Sequence, residues 1–152
     1  MNLLCGKGFA FKQKPWCAQE RKNCGPSLTS DEARAHVHDA WMEADPALRV
    51  GGVTFGWLYH ALKSCTKLHD EAFLKEITIP CILTTGGRED LVVNDAIIRA
   101  AKIMAKARLV EFPESGHEIM MEKDESRRPF LEALHALIKE TIIDRPETLK
   151  PF

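Results

Sequence analysis

The carboxyl-terminal half of the chain alternates between strand-like and helix-like hydrophobic patterns, and this order constrains the fold more than any other feature. Residues 77–85 (ITIPCILTT) and 108–112 (RLVEF) are short runs rich in β-branched and apolar residues, typical of buried strands. Residues 96–107 (AIIRAAKIMAKA) and 127–143 (RRPFLEALHALIKETII) repeat their apolar residues at helical spacing. The order strand, helix, strand, helix predicts a right-handed crossover and a parallel strand pair.

The amino-terminal half has a different pattern, with helical spacing and no strand-like alternation. Ser30 precedes two acidic residues and predicts the N-cap of a helix that runs to about Glu43. A second helix is expected from about residue 53, because Phe55, Leu58 and Leu62 recur at helical spacing, and a third short helix around residues 72–74. We therefore expect a helical region over residues 1–75, followed by an α/β portion over residues 76–152.

Composition places the chain among ordinary globular proteins. Of its 152 residues 45% are hydrophobic and 28% are charged, and the formal net charge of −1 gives no support for a nucleic-acid-binding face. The five cysteines form no CxxC pair, which favours a reduced, cytoplasmic protein over a zinc ribbon or a disulfide framework. No apolar run has the length of a signal peptide core or of a membrane span, and no pattern calls for a cofactor.

Two loops at the predicted strand ends carry side chains suited to acid–base chemistry. Residues 86–93 (GGREDLVV) follow the first strand and residues 113–118 (PESGHE) follow the second. Ligands of open parallel sheets bind outside the carboxyl ends of the strands, so Asp90 and His117 are expected at the functional edge. An aspartate there could accept the Nδ1–H of the histidine, although a solvated Asp and a solvated His would give the same pattern.

The glycines of these two loops suggest how the side chains are aimed. Gly116 directly precedes His117, and Gly86 and Gly87 precede the acidic residues. Since glycine has access to backbone conformations that other residues avoid, we expect these three positions to give the loops conformational freedom.

Residues 91–138 resemble the carboxyl-terminal third of α/β-hydrolase-fold serine hydrolases, within them most closely the lysophospholipase L2 and monoacylglycerol lipase group. Upstream, residues 49–58 (RVGGVTFGWL) are the most specific match to the lid region of this group. The similarity runs from about Gly6 to Ile142. The resemblance implies an α/β fold preceded by a helical lid, with Asp90 as the acid and His117 as the general base of a catalytic triad.

Three further assignments follow from the resemblance. Glu89 is the rival for the role of acid, but in an extended stretch its side chain would point to the face opposite Asp90. Glu118 is expected to have a structural role beside the base. The lid aromatic residues could line an acyl-chain pocket or could simply pack the lid helices; they are Phe55, Trp57 and Tyr59.

The nucleophile of such a triad is missing from these 152 residues. In this fold the serine lies on a strand–turn–helix elbow with the motif G-x-S-x-G, and the triad runs in the order Ser, acid, His. No serine of the chain has glycines at both flanking positions; the serines are Ser27, Ser30, Ser64, Ser115 and Ser126. The leading hypothesis is therefore the carboxyl-terminal portion of a hydrolase of lysophospholipid or monoacylglycerol esters, cytoplasmic or at the periphery of the inner membrane.

Two alternatives stay open. A catalytically inactive remnant of the fold could bind a lipid or a partner, either the missing amino-terminal half or a second copy through the exposed sheet edge. A metal-assisted hydrolase could use His36 and His38 with Asp39 or a cysteine, but on a helix the two rings point about 200° apart. We therefore expect no metal site.

Overall fold

The structure, a computed structural model, describes residues 5–18 and 28–143. Two parallel strands, β1 (Cys81–Gly86) and β2 (Ala107–Phe112), pair in register from Cys81 opposite Ala107 to Gly86 opposite Phe112. The predicted parallel pair is confirmed. It starts just after Pro80, because proline has no N–H for the ladder and is tolerated at a strand start.

Helices flank the strand pair. The crossover between the strands contains helix α5 (Asn94–Ile103), and helix α6 (Asp124–Ile138) follows β2 and continues into a π-helical turn over Lys139–Ile143. The ring of Phe130 on α6 meets the ring of Phe112 edge-on, with centroids 6.4 Å apart. This ring contact packs α6 against the sheet, as the helical spacing of its apolar residues predicts.

Between residue 28 and the sheet, the described part of the chain contains four helices: α1 (Glu32–Ala35), α2 (Val37–Ala44), α3 (Phe55–Leu68) and α4 (Glu71–Glu76). A 3₁₀ turn over Pro46–Leu48 separates α2 from α3. The side chains of Asp31, Thr54 and Asp70 cap α1, α3 and α4 by accepting a backbone N–H of the first turn. The expected second and third helices are confirmed.

Two details of the helical region differ from the sequence-based expectation. The N-cap of the first helix is Asp31, whose Oδ1 accepts the Arg34 N–H at 3.0 Å, and not Ser30. The helix expected to reach Glu43 is interrupted at His36, which ends α1 and precedes α2. Ser30 does not cap because its hydroxyl donates to Glu122 instead.

The first described segment, residues 5–18, packs against the start of α3. It begins with a 3₁₀ turn over Cys5–Lys7, and Phe9 forms an isolated antiparallel bridge with Thr54. The Cβ of any other residue at Gly56 would lie 2.7 Å from the carbonyl oxygen of Gly6, so this approach requires glycine. No helix in the described part of the chain is long and apolar enough to cross a membrane. The sequence pattern of residues 144–152 (DRPETLKPF) predicts a frayed tail, and these residues lie outside the described ones.

Candidate active site

The loops that follow β1 and β2 are joined by backbone hydrogen bonds. The Gly87 N–H donates to the Phe112 carbonyl at 2.9 Å, and the Arg88 N–H donates to the Ser115 carbonyl at 2.9 Å. The carboxyl ends of both strands therefore form one continuous edge, as the topology predicts.

The glycines of these loops serve close packing and not unusual backbone angles. None of the described glycines has a positive φ, so the expectation that they supply conformational freedom is wrong. A Cβ at Gly86 would lie 2.5 Å from the Gly116 carbonyl oxygen, and one at Gly87 would lie 2.0 Å from that of Pro113. The two loops approach each other too closely for any larger residue.

His117 lies at this edge and contacts a carboxylate of the neighbouring loop. Its Nδ1 is 2.8 Å from Oε2 of Glu89, within hydrogen-bonding distance. The Glu89 side chain is 5% exposed, whereas the His117 side chain is 36% exposed. With the Nδ1–H donated to Glu89, Nε2 is the ring nitrogen left to accept a proton, which is the arrangement of a general base held by a buried acid.

Glu89 is held in place and kept ionised by its surroundings. Burial alone would raise its pKa, but the hydrogen bonds outweigh it, so the pKa of Glu89 lies below its ordinary value. The strongest is the N–H of Leu91, which donates to Oε1 at 2.7 Å; the His117 side chain and the N–H of Val92 add to it. One carboxylate oxygen thus anchors the loop while the other faces the histidine.

Asp90 does not make the contact that the sequence led us to expect. Among the described residues the carboxylate at the His117 ring belongs to Glu89, and Asp90 is exposed on the same loop. The expectation assumed an extended chain in which neighbouring side chains alternate between faces. The strand instead ends at Gly86 and the chain turns at Gly87 and Arg88, which sends Glu89 inward.

A buried carboxylate that sequence analysis missed supports the loop of His117. Glu122 is 1% exposed, and its Oε1 accepts the Gly116 N–H at 2.6 Å. Its Oε2 accepts the hydroxyl of Ser30 at 2.6 Å. Burial would raise the pKa of Glu122, but the Ser30 hydroxyl and the backbone N–H groups of Gly116, Ser30 and Lys123 outweigh it and hold the pKa below its ordinary value.

Glu118 and the two histidines of the alternative metal site have separate partners. Oε2 of Glu118 is 3.3 Å from Nε2 of His38, which joins the His117 loop to helix α2. His36 instead lies with Nδ1 4.0 Å from Oδ2 of Asp39. Among residues 5–18 and 28–143 no three His, Cys, Asp or Glu side chains converge on a position suited to a metal ion.

A cavity of about 350 Å³ opens beside His117. One part of its wall is polar and the rest is apolar; the lining residues are His38, Thr84, His117, Glu118, Ile119, Met120, Met121 and Phe130. Phe55, Trp57 and Tyr59 are not among them. These three lie on α3 with 45%, 60% and 52% of their surface exposed, and the Phe55 ring packs against Phe11 at 5.7 Å.

Comparison with known proteins identifies the family of this chain. Residues 10–124, more than half of the chain, match the model of the hydrolase family described as serine aminopeptidase, S33. The chain belongs to this hydrolase family. The histidine and carboxylates at the strand ends therefore lie in a chain of the hydrolase class.

Two individual proteins extend the comparison. A probable lysophospholipase L2 of Haemophilus influenzae is 28% identical over 135 residues, which are 89% of this chain and 42% of that protein. A crystal structure of a soluble variant of monoglyceride lipase from Saccharomyces cerevisiae, in complex with a substrate analogue, superposes with a TM-score of 0.60. It is 16% identical and the match covers 81% of this chain and 47% of that one.

These matches define both the fold and its extent. The fold is part of an α/β-hydrolase fold, and the chain is similar to a probable lysophospholipase and to a monoglyceride lipase. The chain spans less than half the length of the two proteins it matches.

Proposed function

We propose that this chain supplies the acid and base of a serine hydrolase that cleaves carboxylic esters of lysophospholipids or monoacylglycerols. The contact between His117 and Glu89, at the edge formed by two strand ends, carries this proposal. A serine from sequence outside these 152 residues would complete the triad. Ser115, the nearest serine to the base in sequence, is fully buried and unsuited to attack a substrate.

The proposed mechanism follows from the two ring nitrogens of His117. Nδ1–H donates to the carboxylate, so Nε2 removes the proton of the serine hydroxyl as its oxygen attacks the ester carbonyl. The protonated ring then donates this proton to the departing alkoxide, which leaves as the alcohol, and the acyl group stays on the serine. Water, deprotonated by the same nitrogen, then attacks the acyl carbonyl, and the ring returns this proton to the serine oxygen as its bond to the acyl group breaks and the fatty acid leaves.

Two carboxylates are proposed for the role of the acid. The resemblance assigns it to Asp90, whereas the contact supports Glu89, whose carboxylate already faces Nδ1. We take Glu89 as the acid of the arrangement described here. The lid proposed for the helical region, with Phe55, Trp57 and Tyr59, would cover an acyl chain from the solvent side.

The cavity beside His117 supports an amphipathic substrate. Its histidine and carboxylate side chains suit the polar part of a glycerol ester, and Ile119, Met120 and Phe130 suit the start of an acyl chain. We therefore expect both monoacylglycerol and lysophosphatidylcholine to be hydrolysed, with a short-chain soluble ester as the poorer substrate.

The test is hydrolysis by the native protein, captured from the cells that produce it with an antibody against residues 49–58. Release of fatty acid that His117→Ala abolishes, and that His135→Ala on α6 leaves intact, supports the proposal. Native protein that folds and releases no fatty acid from any of the three esters contradicts it.

Exposed apolar side chains favour a second candidate, a non-enzymatic remnant that binds a lipid or a partner. Trp41 and Trp57 are 64% and 60% exposed, and Ile79 beside the start of β1 is 67% exposed. Analytical ultracentrifugation separates this candidate from the first: concentration-dependent association together with the absence of esterase activity favours the remnant.

A further inference from the structure

Glu122 is the most deeply buried charged side chain of the described residues, and no cation pairs with its carboxylate there. It is 1% exposed, whereas its neighbour Lys123 is exposed. Arg34 approaches Glu122 only at the backbone carbonyl. Burying an ionised carboxylate is costly, so a side chain retained here must be stabilised by its hydrogen bonds.

The hydrogen bonds of this carboxylate join two distant parts of the chain. From one side Ser30 donates both its N–H, at 3.1 Å, and its hydroxyl, at 2.6 Å. From the other side Gly116 donates its N–H at 2.6 Å. Ser30 and Glu122 are 92 positions apart, so the carboxylate connects the segment just before α1 to the loop after β2.

These bonds fix the backbone on both sides of His117. The residue before it, Gly116, donates its N–H to Glu122. The residue after it, Glu118, donates its N–H to the Leu28 carbonyl at 2.8 Å, two residues before Ser30. These two bonds restrict the backbone around His117 in the conformation in which Nδ1 meets Glu89.

Neighbouring contacts strengthen the same connection. The hydroxyl of Thr29 donates to the Met121 carbonyl at 2.8 Å, and Nη2 of Arg34 lies 2.6 Å from Oδ1 of Asp124. Residues 28–34 and 116–124 are thus joined at several successive positions.

We propose that Glu122 is a positioning residue for His117. Through its hydrogen bonds to Ser30, it makes the orientation of the base depend on the segment that precedes α1. The catalytic consequence of this role rests on the proposed function, whereas the orientation of the ring does not. A leucine or methionine would fill the same volume without the cost of burying a charge, but it could not accept the Gly116 N–H. That N–H belongs to the residue directly before the base.

The experiment uses the native protein labelled with ¹⁵N and compares three variants with the unchanged protein. Glu122→Gln keeps the shape and removes the charge, and Ser30→Ala removes only the hydroxyl bond. Glu132→Gln is the matched control, since Glu132 is an exposed carboxylate on α6. Long-range ¹⁵N–¹H spectra report the tautomer of each histidine ring, and amide exchange reports the hydrogen bond of Gly116.

The expected result is selective. In Glu122→Gln the Nδ1–H tautomer of His117 loses population and the Gly116 amide exchanges at least about tenfold faster, because a charge-assisted bond becomes neutral. Ser30→Ala gives the same changes to a smaller extent, and Glu132→Gln gives none. The rings of His60 and His135 should be unchanged in all three variants.

Two results would overturn the proposal. One is an unchanged His117 ring in folded Glu122→Gln. The other applies if Glu122→Gln does not fold: an unchanged His117 ring and Gly116 amide in Ser30→Ala would then exclude the positioning role. Because neither readout needs enzymatic activity, failure of the proposed hydrolysis would leave this result intact.

Discussion

Helix α3 and the strand-end loops differ in how they bury their side chains. Helix α3 (Phe55–Leu68) has no buried residue among its 14, and its Leu62 is 60% exposed. The strand-end loops, by contrast, bury the polar side chains of Ser115 and Glu122. A site held by buried hydrogen bonds depends on particular atoms, whereas α3 leaves its apolar side chains exposed.

The largest difference between the two regions should appear in catalysis. In the native enzyme we expect His117→Ala to lower kcat by about 10⁴ to 10⁶-fold, the usual loss for a triad member. His60→Ala, on exposed α3, should change kcat by less than about threefold, since it removes a surface side chain. Steady-state hydrolysis of a monoacylglycerol measures both. Equal losses in the two variants would contradict the division of roles.

The two acidic neighbours of the β1 loop sharpen the comparison further. We expect Glu89→Gln to lower kcat by about 10³ to 10⁴-fold, because the histidine then loses the acceptor that fixes its tautomer. Asp90→Asn, at the exposed neighbour, should lower kcat by about tenfold at most. The same hydrolysis assay compares them. The reverse order would transfer the acid to Asp90, in agreement with the resemblance.

Stability should separate a buried polar contact from an exposed apolar one. Glu122→Ala removes the acceptor of Gly116 and Ser30 and should lower the free energy of unfolding by about 2 to 4 kcal/mol. Trp57→Ala on α3 should cost about 0.5 kcal/mol, because the ring is 60% exposed. Urea unfolding followed by circular dichroism measures both values. A larger loss for Trp57→Ala would show that α3 is packed in solution.

The smallest effect is a pH dependence of the same contact. The pKa of Glu122 in the folded chain lies below its ordinary value of 4.5, so the stability it contributes is present above pH 4.5. It is lost as the pH falls through the folded pKa. Between pH 5 and pH 3 the free energy of unfolding should therefore decrease less in Glu122→Gln than in the unchanged chain. Identical slopes in urea unfolding across this range would exclude the contribution.

The sequence predicts the strand pair and its helices because those elements depend on local pattern. The β-branched run before Gly86 and the apolar stripe of α6 each identify an element without knowledge of the rest of the chain. The position of His117 at the sheet edge follows from topology alone. These parts of the fold are encoded over short stretches of sequence.

The partners within the site are not encoded in this way. The choice between Glu89 and Asp90 depends on a turn at Gly87, and assuming an extended chain gave the wrong side chain facing the ring. Glu122 and Ser30 lie 92 positions apart, and no pattern links them. The available signal was a single acidic residue between Met121 and Lys123, five positions after the base.

If the strand-end site is the acid–base part of a serine hydrolase, the native protein should react with a fluorophosphonate, and its intact mass after this treatment is the first quantity to measure. We expect a species heavier than 17.1 kDa that gains the mass of one covalent adduct, with the modified serine outside these 152 residues. His117→Ala should suppress the adduct. A native species of 17.1 kDa that gains no adduct would contradict the claim and would favour the inactive remnant.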